Sequence, residues 1–174
     1  VKPMKIEDNF LNQKEFDKLQ TLMMEDSPFP WFYNAQVDFD EDVDKFQFIH
    51  VFYDNAAALS PCMHELTPIM SKINLLSIIK IKANLLTRTS EIVENKFHID
   101  SPYTFVSEKK IKQWTTSIFY VNTNNGYTKF EDGTIVESVA NRIVTFPANM
   151  KHTGTSCTNE RTRVVINFNY FKNT

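Results

Sequence analysis

From Ser77 to Phe171 the chain is dominated by short β-branched and aromatic runs: "SIIKIKANLL", "TTSIFYVNT", "TIVESV", "NRIVTFP" and "TRVVINFNYF". Such residues suit the pleated, half-buried surface of a sheet. The segments between them, "NTNNGY", "FEDGT" and "PANMKHTGT", carry turn chemistry, and all three glycines (Gly126, Gly133, Gly154) fall in these turns. Many short strands joined by tight turns restrict the fold to a sandwich, a barrel or a jelly roll. The first 76 residues read differently. Asn12 followed by Glu15 forms a capping-box signature, and Phe16, Leu19, Leu22 and Met23 recur at helical spacing, which predicts a helix from about Gln13 to Glu25. A second helix is expected from Ser60 as N-cap and Pro61 at its first position, with Met63, Leu66, Ile69, Met70 and Ile73 as its buried stripe. Pro68 kinks or splits it. Between them "FQFIHVFY" reads as a strand. The expected architecture is mainly β: one domain over 1–174, with helical support over about 1–76 packed on a strand-built core over about 77–172.

A chain of 174 residues buries enough surface to fold without covalent staples. With 15 Phe its interior is expected to be thick and ring-packed. The formal charge of -2 leaves no excess of Lys and Arg to neutralise phosphates, which disfavours a nucleic-acid or anionic-membrane surface. A small-molecule or peptide substrate is expected instead. Cys62 and Cys157 are far apart, no glycosylation sequon occurs, and no apolar run reaches the length of a signal peptide or a membrane span. These features read as those of a cytoplasmic protein.

Chemistry concentrates in the second half. In "FHID", His98 and Asp100 share one face if the segment is extended, while Phe97 and Ile99 point the other way, into the core. His-x-Asp is a weak signal alone, so a third ligand decides its meaning. His50 lies within a strand-like apolar run and His64 in the first turns of a helix; both read as structural. His152 follows a strand end, in a polar loop near Gly154, where a β scaffold presents its reactive groups. Two imidazoles and a carboxylate on one face, with other positions open, form the ligand set associated with non-haem iron. Arg161 and Arg163 stand at the head of the last strand. An arginine projecting inward there needs a carboxylate partner, which a dicarboxylate ligand would provide.

Taken together, "FHID", "TTSIFYVNTNNGYTKF", "ANRIVTFPANMKHTGTS" and "RTRVVINFNYF" resemble the 2-oxoglutarate- and Fe(II)-dependent dioxygenases. The resemblance is to their prolyl-hydroxylase-like branch and to small members from marine bacteria and phages. It implies a double-stranded β-helix (jelly roll), a bacterial or phage-infected host, and Fe(II), 2-oxoglutarate and O2 as cofactor and cosubstrates. It also implies iron ligation by His98, Asp100 and His152, with Arg163 pairing with the far carboxylate of 2-oxoglutarate and Tyr120 donating its hydroxyl to the same group. Arg161, on the same strand face, competes with Arg163 for that role. Relatives often carry tyrosine where this chain has Leu86, and Asn84, two residues earlier, is the replacement polar contact. "GYTKF" resembles the family's Gly-Gly-x-Thr-x-Phe turn with Tyr127 in place of one glycine, and Asp100 argues against halogenation. The implied activity is hydroxylation of a C–H bond in a peptidyl side chain or small metabolite, with release of succinate and CO2. The rivals are a catalytically silent jelly-roll module and a cupin-like metal enzyme that uses no 2-oxoglutarate.

Other features have plainer readings. Asp38, Asp40 and Asp42 lack the glycine and glutamate of a calcium loop and read as a solvated run. "SEKKIKQW" reads as an exposed connection or a substrate lid. Trp31 and Trp114 are packing anchors, with Trp114 and Tyr103 flanking the loop expected to face substrate, and Cys157 is a passive thiol.

Overall fold

A computed structural model describes residues 4–25, 28–37, 45–100, 111 and 113–173. The acidic run of Asp38 to Asp42, Tyr103, and Lys109, Lys110 and Lys112 lie outside the described residues. In chain order the elements are β1 (Lys5–Glu7), α1 (Gln13–Met24), β2 (Phe32–Asn34), β3 (Gln47–Asp54) and β4 (Ala57–Ala58), then a 3-10 turn (Met63–Leu66) and α2 (Thr67–Lys72). The second half contains β5 (Leu75–Thr87), β6 (Thr115–Tyr120), β7 (Tyr127–Phe130), β8 (Ile135–Glu137), β9 (Arg142–Pro147), β10 (His152–Gly154) and β11 (Thr162–Lys172).

The predicted first helix forms almost as expected. Asn12 accepts from the Glu15 backbone N–H, but the Glu15 carboxylate receives the Asn12 side-chain amide rather than the cap's backbone N–H, so the capping box closes side chain to side chain. Pro68 splits the second helix: Met63–Leu66 takes the tighter 3-10 form and α2 begins with Pro68 in its first turn, where a missing N–H costs nothing. Of the expected stripe Leu66, Ile69 and Ile73 are buried and Met63 and Met70 half-buried, while Ser60 accepts from the Cys62 N–H in a turn that precedes the helical residues instead of capping a helix that starts at Pro61.

Two antiparallel sheets face each other as a double-stranded β-helix. The larger runs β1-β9-β6-β11-β5-β3-β2, with β4 paired to β3; the smaller runs β10-β7-β8. Isolated bridges, Glu94 to Thr155 and His98 to His152, lay the segment before β6 alongside β10. Period-two alternation sorts the side chains. On β11, Val164, Ile166, Phe168 and Tyr170 join Ile81 and Ala83 of β5, Phe119 of β6 and the α1 residues Phe16, Leu19 and Met23 in the main core. Phe119 meets the edges of Phe10 and Phe16 at centroid distances of 6.4 and 6.2 Å. The opposite faces point between the sheets. There Ile118, Tyr120, Val144, Phe146 and Val165 pack against Phe130 and Val136 of the smaller sheet.

Around the last turns and the "FHID" segment, local expectations differ from the structure. Gly154 lies inside β10, not in a turn, because "HTG" pairs with Phe130, Lys129 and Thr128 of β7. His152 therefore opens a short buried strand rather than sitting in a polar loop. Phe97 is 39% exposed, whereas Ile99 on the same face packs against the cluster of Ile111, Trp114 and Ala148 as expected.

His50 is structural. Its Nδ1 donates to the Pro30 carbonyl at 2.7 Å, and its Nε2 lies 2.7 Å from the Ser60 hydroxyl, from which it accepts in the neutral ring that burial favours. Burial holds its pKa below the ordinary 6.5, against the opposing pull of the Pro30 hydrogen bond. Below about pH 6.5 the unfolded chain binds a proton that the folded ring resists, so stability present at neutral pH is lost on acidification through the folded pKa. We expect His50→Gln to shrink the fall in Tm between about pH 7.5 and 5.5 relative to the parent chain; an unchanged fall in thermal unfolding would contradict the neutral-ring assignment.

Candidate metal centre

His98, Asp100 and His152 converge. One ligand atom from each lies within 4.8 Å of the others. Asp100 Oδ1 is 3.5 Å from His98 Nε2, and Oδ2 is 3.7 Å from His152 Nε2. The bridge between His98 and His152, with reciprocal backbone hydrogen bonds of 2.9 Å, places the two imidazoles side by side. Period two then puts Asp100 on the same face as His98.

Each histidine is oriented in the same way. His98 Nδ1 donates to the Lys96 carbonyl (3.2 Å) and His152 Nδ1 to the Met150 carbonyl (3.1 Å), each two residues back. In the neutral rings both Nε2 atoms are then lone-pair acceptors aimed toward carboxylate oxygens. Acceptors facing acceptors repel unless a cation lies between them, and this donor set suits a divalent ion with open positions. Asp100 Oδ2 is buried without a hydrogen-bond partner, which is the cost expected of a carboxylate built to ligate. Burial pushes the Asp100 carboxyl up, but His152 and His98, whenever their rings are protonated in place of a bound cation, and Lys82 outweigh it and hold the group well below the usual carboxylate range. Phe130 and Phe146 pack on His152 at centroid distances of 5.9 and 4.9 Å and fix its ring.

The triad opens into a cavity of about 80 Å³ between the sheets. Arg163 lines the same cavity and is 3% exposed. Its Nε donates to Ser138 Oγ (2.8 Å) and its Nη2 to Thr128 Oγ1 (3.2 Å). Among the described residues no carboxylate lies within ion-pair distance of it. Burial lowers its pKa, partly offset by Tyr120 and Cys157, yet a guanidinium stays charged. Two glycines make room for it: a Cβ on Gly126 would stand 2.6 Å from Arg163 Cδ and 2.7 Å from the Ser156 carbonyl, and one on Gly154 would stand 3.3 Å from Nη1.

The structure separates the two arginines. Arg161 precedes β11, is exposed, and borders a different surface hollow with Trp31 and Glu160. The shared strand face expected for Arg161 and Arg163 is therefore corrected, since β11 starts only at Thr162. Tyr120 is fully buried beneath the cavity, and its hydroxyl donates to Thr128 Oγ1 at 2.8 Å rather than to the cavity itself. Asn84 does line the cavity, and its Oδ1 is buried and unpartnered.

Sequence reasoning missed Thr128, Lys82 and Asn167, all of which line the cavity. Thr128 lies in the noticed "GYTKF"; Lys82 shares the face of Asn84 at a spacing of two, as Asn167 does with Arg163 at a spacing of four. A metal-binding measurement tests the triad. Mn(II) should bind the parent chain at about one per chain and raise Tm by mass action. In Asp100→Ala both effects should vanish, because the carboxylate that joins the two imidazoles has been removed.

No protein-family model matches the chain, and no curated protein matches it at a significant level. Solved structures do. A prolyl-4-hydroxylase from Pseudomonas putida superposes with a TM-score of 0.64 at 13% identity, covering 98% of this chain and 92% of that one. An oxidoreductase of the 2OG-Fe(II) oxygenase family from Burkholderia pseudomallei gives a TM-score of 0.69 at 9% identity over 98% and 86%. The non-heme alpha ketoglutarate dependent epimerase SnoN of nogalamycin biosynthesis gives 0.65 at 12% over 97% and 77%. The chain thus shares its jelly-roll fold with these structures.

Proposed function

We propose that the protein is a 2-oxoglutarate- and Fe(II)-dependent oxygenase that hydroxylates a C–H bond of a peptidyl side chain or small metabolite. The observation that carries this reading is a buried guanidinium without a carboxylate partner among the described residues, in the same cavity as a buried two-histidine, one-carboxylate cluster. A charge so placed costs several kcal/mol unless an anion meets it. Arg163 lies against Gly154, and His152 is two residues back on β10, so the guanidinium and the triad open into one cavity, where a keto-diacid would meet both.

His98, Asp100 and His152 would hold the iron, and their fit rests on paired Nε2 acceptors and the orphaned Asp100 oxygen. When bound, ferrous iron supplies the redox chemistry by which O2 and 2-oxoglutarate yield succinate and CO2 and oxidise a substrate C–H bond. The remaining work is positioning and shielding. Arg163 takes the far carboxylate and fixes the orientation of the keto acid. Thr128 Oγ1 already accepts from Tyr120 and Arg163, so its own proton is available for the same carboxylate. Tyr120 therefore acts through Thr128. Ile118 and Val165 give the cavity dry walls. Among neighbours of this fold, a viral collagen prolyl hydroxylase in its 2OG complex and an alpha ketoglutarate dependent epimerase share the cosubstrate; Asp100 argues against halogenation, and hydroxylation is the default outcome of this chemistry.

With Mn(II) present, 2-oxoglutarate at about one hundred times its Kd should stabilise the protein by about 2.7 kcal/mol, several degrees in Tm. Arg163→Met should abolish that gain while Mn(II) binding persists. Succinate formation with Fe(II) and O2 in a substrate screen separates this reading from a silent jelly roll or a metal enzyme without a keto acid; no keto-acid stabilisation in the parent chain would overturn it.

A further inference from the structure

The cavity has a second cationic side chain, Lys82, at the end away from Arg163. Register fixes the arrangement. Across β5 and β11, Leu86 faces Arg163, Asn84 faces Val165 and Lys82 faces Asn167, and Asn167 in turn faces Ile118 of β6. All these positions line the cavity. The Arg163 row and the Lys82 row are four residues apart, about 13 Å along the strands. An extended five-carbon diacid is about 5 Å between carboxyl carbons, and its two outer C–O bonds and two charge-assisted hydrogen bonds of about 2.8 Å bring the nitrogen-to-nitrogen span to about 12–13 Å. The cavity thus carries a cation at each end of a dicarboxylate's reach.

The polar groups beside Lys82 point the same way. Asn84 and Asn167 each have a buried carboxamide oxygen without a hydrogen-bond partner. Neither side chain makes a hydrogen bond to the described protein, so both carboxamides are held for a ligand or its water. Lys82 is also within electrostatic reach of Asp100, which puts its charge at the metal end. A chelating 2-oxo acid brings a carboxylate to that end, in a water-poor space where a charge-assisted hydrogen bond is strong.

We infer that Lys82, supported by Asn167 across the strand pair, binds the carboxylate of the keto-acid head beside the metal, so that the cosubstrate is held by a cation at both ends. This rests on the keto-acid reading above and adds a residue to it. Lys82 is then a specificity determinant for 2-oxo acids rather than a metal ligand.

The test is calorimetric titration of the Mn(II)-loaded full chain with two probes, 2-oxoglutarate and oxalate. Oxalate stands in for the chelating head and has no tail to reach Arg163. Lys82→Met should weaken both probes about tenfold, the scale of one charged hydrogen bond, with Lys82→Arg restoring most of the loss. Arg163→Met should weaken 2-oxoglutarate and leave oxalate unchanged, which locates the two cations at opposite ends. Oxalate affinity unaltered in Lys82→Met, or a loss confined to 2-oxoglutarate, would overturn the inference while leaving the keto-acid reading standing. A parent chain that binds Mn(II) and oxalate but not 2-oxoglutarate would remove the keto-acid reading, and this inference with it.

Discussion

A positive charge buried between two sheets sets the terms for this molecule. The Arg163 guanidinium donates to two hydroxyls, Ser138 and Thr128, but a hydroxyl does not neutralise a cation. The surroundings are nevertheless shaped around it: Gly126 and Gly154 leave out the side chains that would collide with it. A fold accepts that arrangement when the missing negative charge arrives with a ligand. The burial that makes the charge costly also makes its pairing strong, since low dielectric magnifies both effects.

The triad follows the same logic with the signs reversed. Two imidazole lone pairs and a carboxylate are aimed at one point, and the Asp100 oxygen lacks a partner. Backbone carbonyls of Lys96 and Met150 hold the Nδ1 protons, so the Nε2 atoms are committed inward. Surplus positive charge at one end and surplus acceptors at the other are each unfavourable alone. A divalent ion and a dicarboxylate satisfy both, and the ridge of β11 that carries Arg163, Val165 and Asn167 lies between them. The reverse face of that strand closes the main core, so one eleven-residue strand supports both stability and the site.

Much of this was legible in the chain. Asn12 and Glu15 marked the first helix, Pro68 marked the break in the second, and the alternation of "TRVVINFNYF" told which residues faced the cavity and which the core. His98 and Asp100 declared a common face through their spacing, and His152 was singled out from His50 and His64 by its position at a strand end. What the sequence left hidden depends on pairing between distant strands. The short β10 makes only three pairs with β7, too few to appear as a periodic run, so Gly154 read as a turn. Arg161 and Arg163 have the same parity, and only the start of β11 at Thr162 removes Arg161 from the ladder. Lys82 looked like an ordinary strand lysine because its neighbour Asn167 lies 85 positions away and meets it through the β5–β11 register. Thr128 gains its role from Tyr120 and Arg163 converging on one hydroxyl, a tertiary fact with no local trace.

Crystals soaked with Mn(II), with diffraction recorded at the manganese absorption edge, address the central claim directly. One anomalous peak is expected inside the cavity, about 2.2 Å from Nε2 of His98, from an Asp100 oxygen and from Nε2 of His152. A peak elsewhere on the chain, or none with the three side chains holding their positions, would contradict it.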